Sequence, residues 1–306
     1  MVVRLEWTEE KARMNPSERS NISVGVPPSP LEPVHDPRAG VPEAGDTGRR
    51  TLARGRPIGL EGVTFQYSPQ HPDILSGFDL KIEAGQFFCL LGPSGCGKTT
   101  VLNLVAGFEC ATTGRVRVGD EEVKRPDVDR AVIFQGDESL FPWLNALDNV
   151  CIGLRYAGVK RPDRLRLARE AITTVGLSGH EHKFPHELSG GMKQRIQIAR
   201  AIVGRAPVLL MDEPFASLDA QVRGIMQEEV ARIWEGMRNT VLFITHDITE
   251  ALILGDQIGV MSAGPSARLK EIVPVALPRP RTIATEGFGA LHGHIAGLIR
   301  GEVVRE

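Results

Sequence analysis

Two rhythms of apolar and polar positions alternate along the chain. Ile58 to Phe65 switches between apolar and polar at nearly every step, the period of a half-buried strand, and Phe78-Asp-Leu-Lys-Ile82 reads as its partner across a turn. Phe87 to Leu91 is instead an unbroken apolar run, the pattern of a strand covered on both faces in a mostly parallel sheet. Further strands are predicted at Val116–Val118, Ala131–Phe134, Val208–Met211, Thr240–Ile244 and Gln257–Met261. Between Phe134 and Val208 the spacing changes to i, i+3, i+4, and helices are predicted over Ala146–Tyr156, Arg161–Val175 and Lys193–Val203. The pattern describes a strand-rich α/β core with a helical insertion near 137–188, in a domain set at 57–283. Residues 1–56 have no period, carry Pro-Pro-Ser-Pro30 and hold Trp7 as their single aromatic, a composition that predicts a disordered extension. Residues 284–306 are set apart as a C-terminal tail.

Composition narrows the class only a little. A chain of 306 residues with 42% hydrophobic and 24% charged residues is that of an ordinary globular protein. The formal net charge of −2 gives no overall pull toward nucleic acid, and no nucleic-acid partner is expected. The longest apolar runs are far too short to span a bilayer, and the first ten residues lack the apolar core of a signal peptide, so the protein is expected to stay where it is made. Four cysteines (Cys89, Cys96, Cys110, Cys151) form no C-x-x-C pair and point to no disulfide framework.

Chemistry enters at Gly92-Pro93-Ser94-Gly95-Cys96-Gly97-Lys98-Thr99-Thr100, which fits the phosphate-loop pattern G-x-x-x-x-G-K-[ST]. It lies directly after the apolar strand and ahead of the helix-like Val101–Ala106. A strand that stops, a glycine-rich turn and a helix that begins aim several backbone N–H groups at one point, where the helix start adds roughly +0.5 of a charge. Lys98 can then reach the β- and γ-phosphates of a nucleotide, and the Thr99 hydroxyl can ligate Mg²⁺. A dinucleotide fingerprint is excluded because Thr100 stands where its third glycine belongs. The loop alone leaves kinases, GTPases, helicases and transporters open.

Two further stretches narrow this. Val208-Leu-Leu-Met-Asp212-Glu213-Pro214 is an apolar strand that ends in two acids: Asp212 is placed to hold Mg²⁺ and Glu213 to orient and deprotonate an attacking water. Leu188-Ser189-Gly190-Gly191 immediately precedes a helix and makes a second anion-binding terminus. One nucleotide does not need two cradles. Two make sense if two copies pair head to tail, each covering the other's ATP.

Through Leu188-Ser189-Gly190-Gly191-Met192-Lys-Gln the chain resembles the ATP-binding subunits of ABC transporters, whose signature is Leu-Ser-Gly-Gly-Gln, with Met192 at the place of the glutamine. The resemblance spans roughly 58–283 and implies the cassette form of the P-loop NTPase fold: a mixed-sheet core, an N-terminal antiparallel β subdomain and an inserted α-helical subdomain. It further implies a role for Gln135 in contacting Mg²⁺ and the attacking water, for Asp219 in a loop at the dimer interface, and for His246 at the γ-phosphate. Tyr67, with Phe65 as the near alternative, matches the aromatic that stacks on adenine. ATP and Mg²⁺ are the implied ligands. The implied partners are a second copy of the subunit, transmembrane permease subunits and, through them, an extracytoplasmic solute-binding protein. The implied place of work is the cytoplasmic face of the membrane.

Leu140-Phe-Pro-Trp143, just past Gln135, either presents apolar groups to a permease helix or packs inside the helical insertion. The stretches Phe134–Trp143, Thr245–Ala251 and Ser262–Arg268 most resemble the subgroup that serves nitrate, aliphatic sulfonate and taurine uptake. A soluble ABC ATPase of the DNA-repair or translation type is the alternative, although no long coiled-coil interruption and no second cassette is present. No cysteine or acidic cluster completes a metal set around His180, His182 and His186, which read as loop histidines, and the arginine face of Arg161, Arg164, Arg166 and Arg169 reads as solvated.

Overall fold

The computed structural model describes residues 55–136 and 139–303, so the extension expected at 1–56 lies, apart from its last two residues, outside the described part. Two sheets carry the architecture. The first is antiparallel, in the order β2 (Leu75–Ile82), β1 (Ile58–Phe65), β4 (Thr113–Val118), β5 (Glu121–Glu122). Ile58, Leu60, Val63 and Phe65 of β1 all face inward although the step from Leu60 to Val63 breaks a strict alternation. The register slips there, with Gly62 at φ +56° in between, so a bulge returns the apolar side chains to one face.

The second sheet runs β10 (Leu269–Pro274), β9 (Gln257–Met261), β3 (Phe87–Leu91), β8 (Thr240–Ile244), β7 (Val208–Asp212), β6 (Arg130–Ile133), and only the β10–β9 pair is antiparallel. Every residue of β3, β7 and β8 is buried, as their continuous apolar runs require. Alternate side chains of β3 feed two different cores. Phe88 and Leu90 join the antiparallel sheet and helix α1 (Lys98–Ala106), whereas Phe87, Cys89 and Leu91 join the helices on the opposite face.

Three mutually packed helices, α2 (Ala146–Tyr156), α3 (Arg161–Thr174) and α4 (Gly190–Val203), occupy the stretch where the helical period appears. Each start has a local cause. The Asn145 side chain accepts from the Asp148 N–H, Pro162 sits in the first turn of α3, and the Ser189 hydroxyl accepts from the Met192 N–H. α4 therefore begins three residues earlier than its apolar spacing predicts. Fully buried Asn149 accepts from the Phe141 N–H at 2.9 Å and donates to the carbonyls of Phe141, Leu144 and Asn145, which pins the loop before α2.

Helices α5 (Ala220–Met237) and α6 (Ile248–Leu254) follow β7 and β8, capped by Asp219 and Asp247. The segment set apart as a tail is more than that. It carries α7 (Phe288–Val303), which buries Phe288 and Ile295 against the body of the domain and accepts a bond from Lys270 Nζ at the Leu298 carbonyl (3.0 Å). The chain between β10 and α7 is fastened by Arg281, which is buried and donates to the carbonyls of Leu252, Gly255, Val275 and Leu277. Two of those carbonyls belong to the end of α6, where helical C=O groups have no partner in the helix. Among the described residues, no helix is long and apolar enough to cross a membrane.

Candidate active site

The parallel register brings the functional candidates to one edge. Leu90 pairs with Ile244, Ile244 with Asp212, and Met211 with Ile133. The phosphate loop after β3, the acids at the tip of β7, His246 beyond β8 and Gln135 beyond β6 thus leave the sheet side by side at its carboxyl edge.

Gly92 and Gly97 open and close the loop for steric reasons. A Cβ on Gly92 would lie 2.8 Å from Cys96 Sγ, and one on Gly97, at φ +91°, would lie 2.9 Å from Ile74 Cγ2. Gly97 is also the residue that caps α1. Lys98 is buried and curls back over the loop, donating from Nζ to the carbonyls of Gly92 (2.9 Å) and Pro93 (2.7 Å). Cys96 is fully buried beneath it, and burial holds its thiol above the ordinary range, so the reactive thiolate is suppressed.

Thr99 Oγ1 donates to Asp212 Oδ2 at 2.8 Å. Burial raises the Asp212 pKa, the Thr99 bond opposes that, and the neighbouring Glu213 charge adds to it. Glu213 follows with a left-handed backbone (φ +44°), and its N–H is tied to the Ile244 carbonyl at 3.0 Å. Its carboxylate sits between two predicted partners. Gln135 Nε2 donates to Oε2 at 3.1 Å, and His246 Nδ1 lies 3.1 Å from Oε1.

A cavity of about 350 Å³ spans this arrangement, bounded by Tyr67, Lys98, Thr99, Gln135, Asp212 and Glu213, with Ser94, Gly95 and Thr100 also on its wall. Tyr67 is 60% exposed at its mouth, its hydroxyl 3.3 Å from Thr100 Oγ1, whereas Phe65 is buried behind it. Of the two aromatics, only Tyr67 lines the cavity. A larger cavity, about 540 Å³, lies over the antiparallel sheet beside Lys81, Arg117 and Ile272 and contains none of the predicted residues.

The second cradle stands apart. Ser189, Gly190 and Gly191 head α4 and do not line the cavity, and Asp219 heads α5. A Cβ on Gly191 would lie 3.3 Å from Leu218 Cδ2, so the loop before Asp219 packs closely against the signature glycine. Further down α4, Gln197 Nε2 donates to the Gly136 carbonyl (2.7 Å) and Arg200 to the Ser139 carbonyl (3.0 Å) and hydroxyl (3.1 Å). Trp143 is 70% exposed while Phe141 is half-buried under the Arg200 guanidinium. Phe141 thus packs as one reading of that loop expects, and Trp143 is open to solvent.

Two participants escape the sequence reading. Ile74 reaches the loop only because β2 packs on it, and no motif marks it. Glu250 is buried among polar partners; its place three residues after Asp247 mimics the spacing of a capping box and would have been read as one.

The ABC transporter family model matches residues 75–216. A taurine import ATP-binding protein of Chromobacterium violaceum is 48% identical over 69% of this chain and 81% of its own. A bicarbonate transport and a nitrate import ATP-binding protein, both of Synechococcus elongatus, are each 43% identical over 72% of this chain and 81% of theirs. Among solved structures, the ATP-binding cassette MJ0796, a dimer in a post-hydrolysis state bound to ADP and Pi, superposes with a TM-score of 0.63 at 27% identity, over 71% of this chain and 98% of that one. The phosphate loop, the acid pair and the shared register stand within or beside the matched segment, and the chain belongs to the ABC transporter family, as one of its ATP-hydrolysing import subunits.

Proposed function

We propose that two copies of this chain clamp two ATP molecules, and that Glu213 is the base that activates water against the γ-phosphate. The observation that carries this reading is the Glu213 carboxylate held between Gln135 and His246, next to the Thr99–Asp212 pair. Tyr67 offers a face to adenine, and the loop N–H groups with Lys98 hold the phosphates. Thr99, Asp212 and Gln135 are hard oxygen donors grouped on one wall, a set that fits Mg²⁺, which would neutralise charge on the β- and γ-phosphates. Glu213 takes the proton of water at a carboxylate oxygen as the water oxygen bonds phosphorus and the bond to ADP breaks. Because both of its oxygens are engaged by Gln135 and His246, one contact opens to admit the water. His246 is 68% exposed at its side chain and free to follow the γ-phosphate.

The second half of each site comes from the partner copy: Ser189, Gly190 and Gly191 present a helix start and a hydroxyl to the γ-phosphate, and the Asp219 loop crosses between them. That solved relative is a dimer, which supports this arrangement. Exposed Trp143 is the contact for a permease helix at the cytoplasmic face of the membrane, with a solute-binding protein delivering cargo from outside. The solute is a small oxyanion, a sulfonate such as taurine before nitrate or bicarbonate, since the relatives' names span those three. The test is the dimer. Glu213→Gln, loaded with ATP without Mg²⁺, elutes as a dimer from a sizing column, and a monomer refutes the clamp. Stimulation of ATPase activity by detergent-solubilised permease separates transport from the soluble alternative.

A further inference from the structure

Glu250 lies in the first turn of α6, in the interior of the domain, and is 5% exposed. A buried carboxylate is costly unless each oxygen has partners, and here both do. Oε2 accepts from Thr245 Oγ1 at 2.7 Å; Oε1 accepts from Gln227 Nε2 of α5 at 3.3 Å and lies 3.9 Å from Arg223 Nε. The same Thr245 hydroxyl accepts the Asp247 N–H at 3.0 Å. His246 is therefore flanked by Thr245, which bonds the Glu250 carboxylate, and by Asp247, which bonds Thr245, while its own ring lies 3.1 Å from the Glu213 carboxylate.

The other end of this cluster reaches the Asp219 loop. Arg223 Nη2 donates to the Leu218 carbonyl at 3.0 Å, one residue before Asp219, and Leu218 is the side chain packed nearest Gly191. We infer that Glu250 is a positioning residue: it sets His246 on Glu213 and ties that setting, through Arg223, to the loop at the head of α5. This rests on the proposed roles of His246 and of the Asp219 loop. Its content is a coupling through charge: Arg223 is bonded to the Leu218 carbonyl and lies 3.9 Å from Glu250, so a shift of Leu218 on partner contact changes the field on Glu250 and, through Thr245, the backbone either side of His246.

The test is a double-mutant cycle on the full chain, with Glu250→Gln, Thr245→Val and His246→Ala. Glu250→Gln should lower kcat by about 10- to 100-fold while affinity for a fluorescent ATP analogue stays within about twofold. It should cost nothing further in the His246→Ala background, and Thr245→Val should reproduce it. In protein carrying ¹³C-histidine, the His246 ring resonance, identified by its loss in His246→Ala, should shift in Glu250→Gln. An equal loss in both backgrounds, an unaltered kcat or an unmoved resonance overturns the inference. His246→Ala with full turnover refutes the underlying reading of the site instead, so the two failures are distinguishable. The resonance decides even where residual turnover is too low to measure.

Discussion

Replacing Arg281 with alanine tests whether the chain beyond 275 belongs to the catalytic domain. Its guanidinium donates to four carbonyls: Leu252 (3.1 Å) and Gly255 at the end of α6, Val275 (3.0 Å) and Leu277 (3.0 Å). Bonds from a charged donor contribute about 1.5–3 kcal/mol each, but these share one buried cation whose desolvation opposes them. Removing one side of such a buried arrangement costs about 3–5 kcal/mol, because the stranded carbonyls keep their desolvation penalty. At about 2–4 °C per kcal/mol for a domain of this length, Tm should fall by about 6–20 °C. Arg281→Lys should recover only part of the loss, since an ammonium cannot fork toward carbonyls on both sides. Thermal unfolding followed by circular dichroism reads this directly. A Tm within about 2 °C of wild type refutes the reasoning.

Three other outcomes follow from the site. Glu213→Gln keeps ATP affinity and lowers kcat by about 10²–10⁴-fold, the contribution of a general base; steady-state ATPase kinetics check it. Lys98→Ala weakens ATP binding by about 10- to 100-fold, the loss of a charge-assisted contact of about 1.5–3 kcal/mol, and unchanged affinity by titration would remove the loop as the site. Asp212→Asn abolishes turnover yet raises Tm at neutral pH. The buried carboxyl has a raised pKa in the fold, so its contribution to stability is full below the unfolded pKa and is lost as pH rises through the folded one. The gain over wild type should therefore shrink as pH is lowered into the carboxylate range.

Much of this was legible because the signals were local. The run Phe87–Leu91 can only be a strand covered on both sides, and the loop behind it needs glycine where Cys96 Sγ and Ile74 crowd the backbone. Ser189 and the helix it starts, and the bounds of α2, also follow from near neighbours in sequence. What stayed hidden was tertiary. α5 mixes charge with its apolar stripe along Ala220–Met237, and its burial on Met226, Val230 and Trp234 appears only once it packs. α7 has glycine at every fourth position from Gly289 to Gly301, which argues against a helix until Phe288 and Ile295 find the core. Nothing in Pro-Arg-Pro-Arg281 or in Asp247-Ile-Thr-Glu250 marks a buried charge, because Leu252 and Gly255 reach Arg281, and Gln227 reaches Glu250, from more than 20 residues away in sequence.

The anchoring of Gly136 and Ser139 to α4 has a kinematic consequence. Gln197 stands eight residues from Ser189, so about 12 Å of stiff rod separates the tip of α4 from the grip on the chain next to Gln135. A rod held at both points cannot tilt at one without displacing the other. If Ser189 meets the triphosphate of a second copy, as proposed, drawing it inward would drag on Gln135 in its own pocket, and the timing of water entry at Glu213 would report on what the opposite subunit is holding.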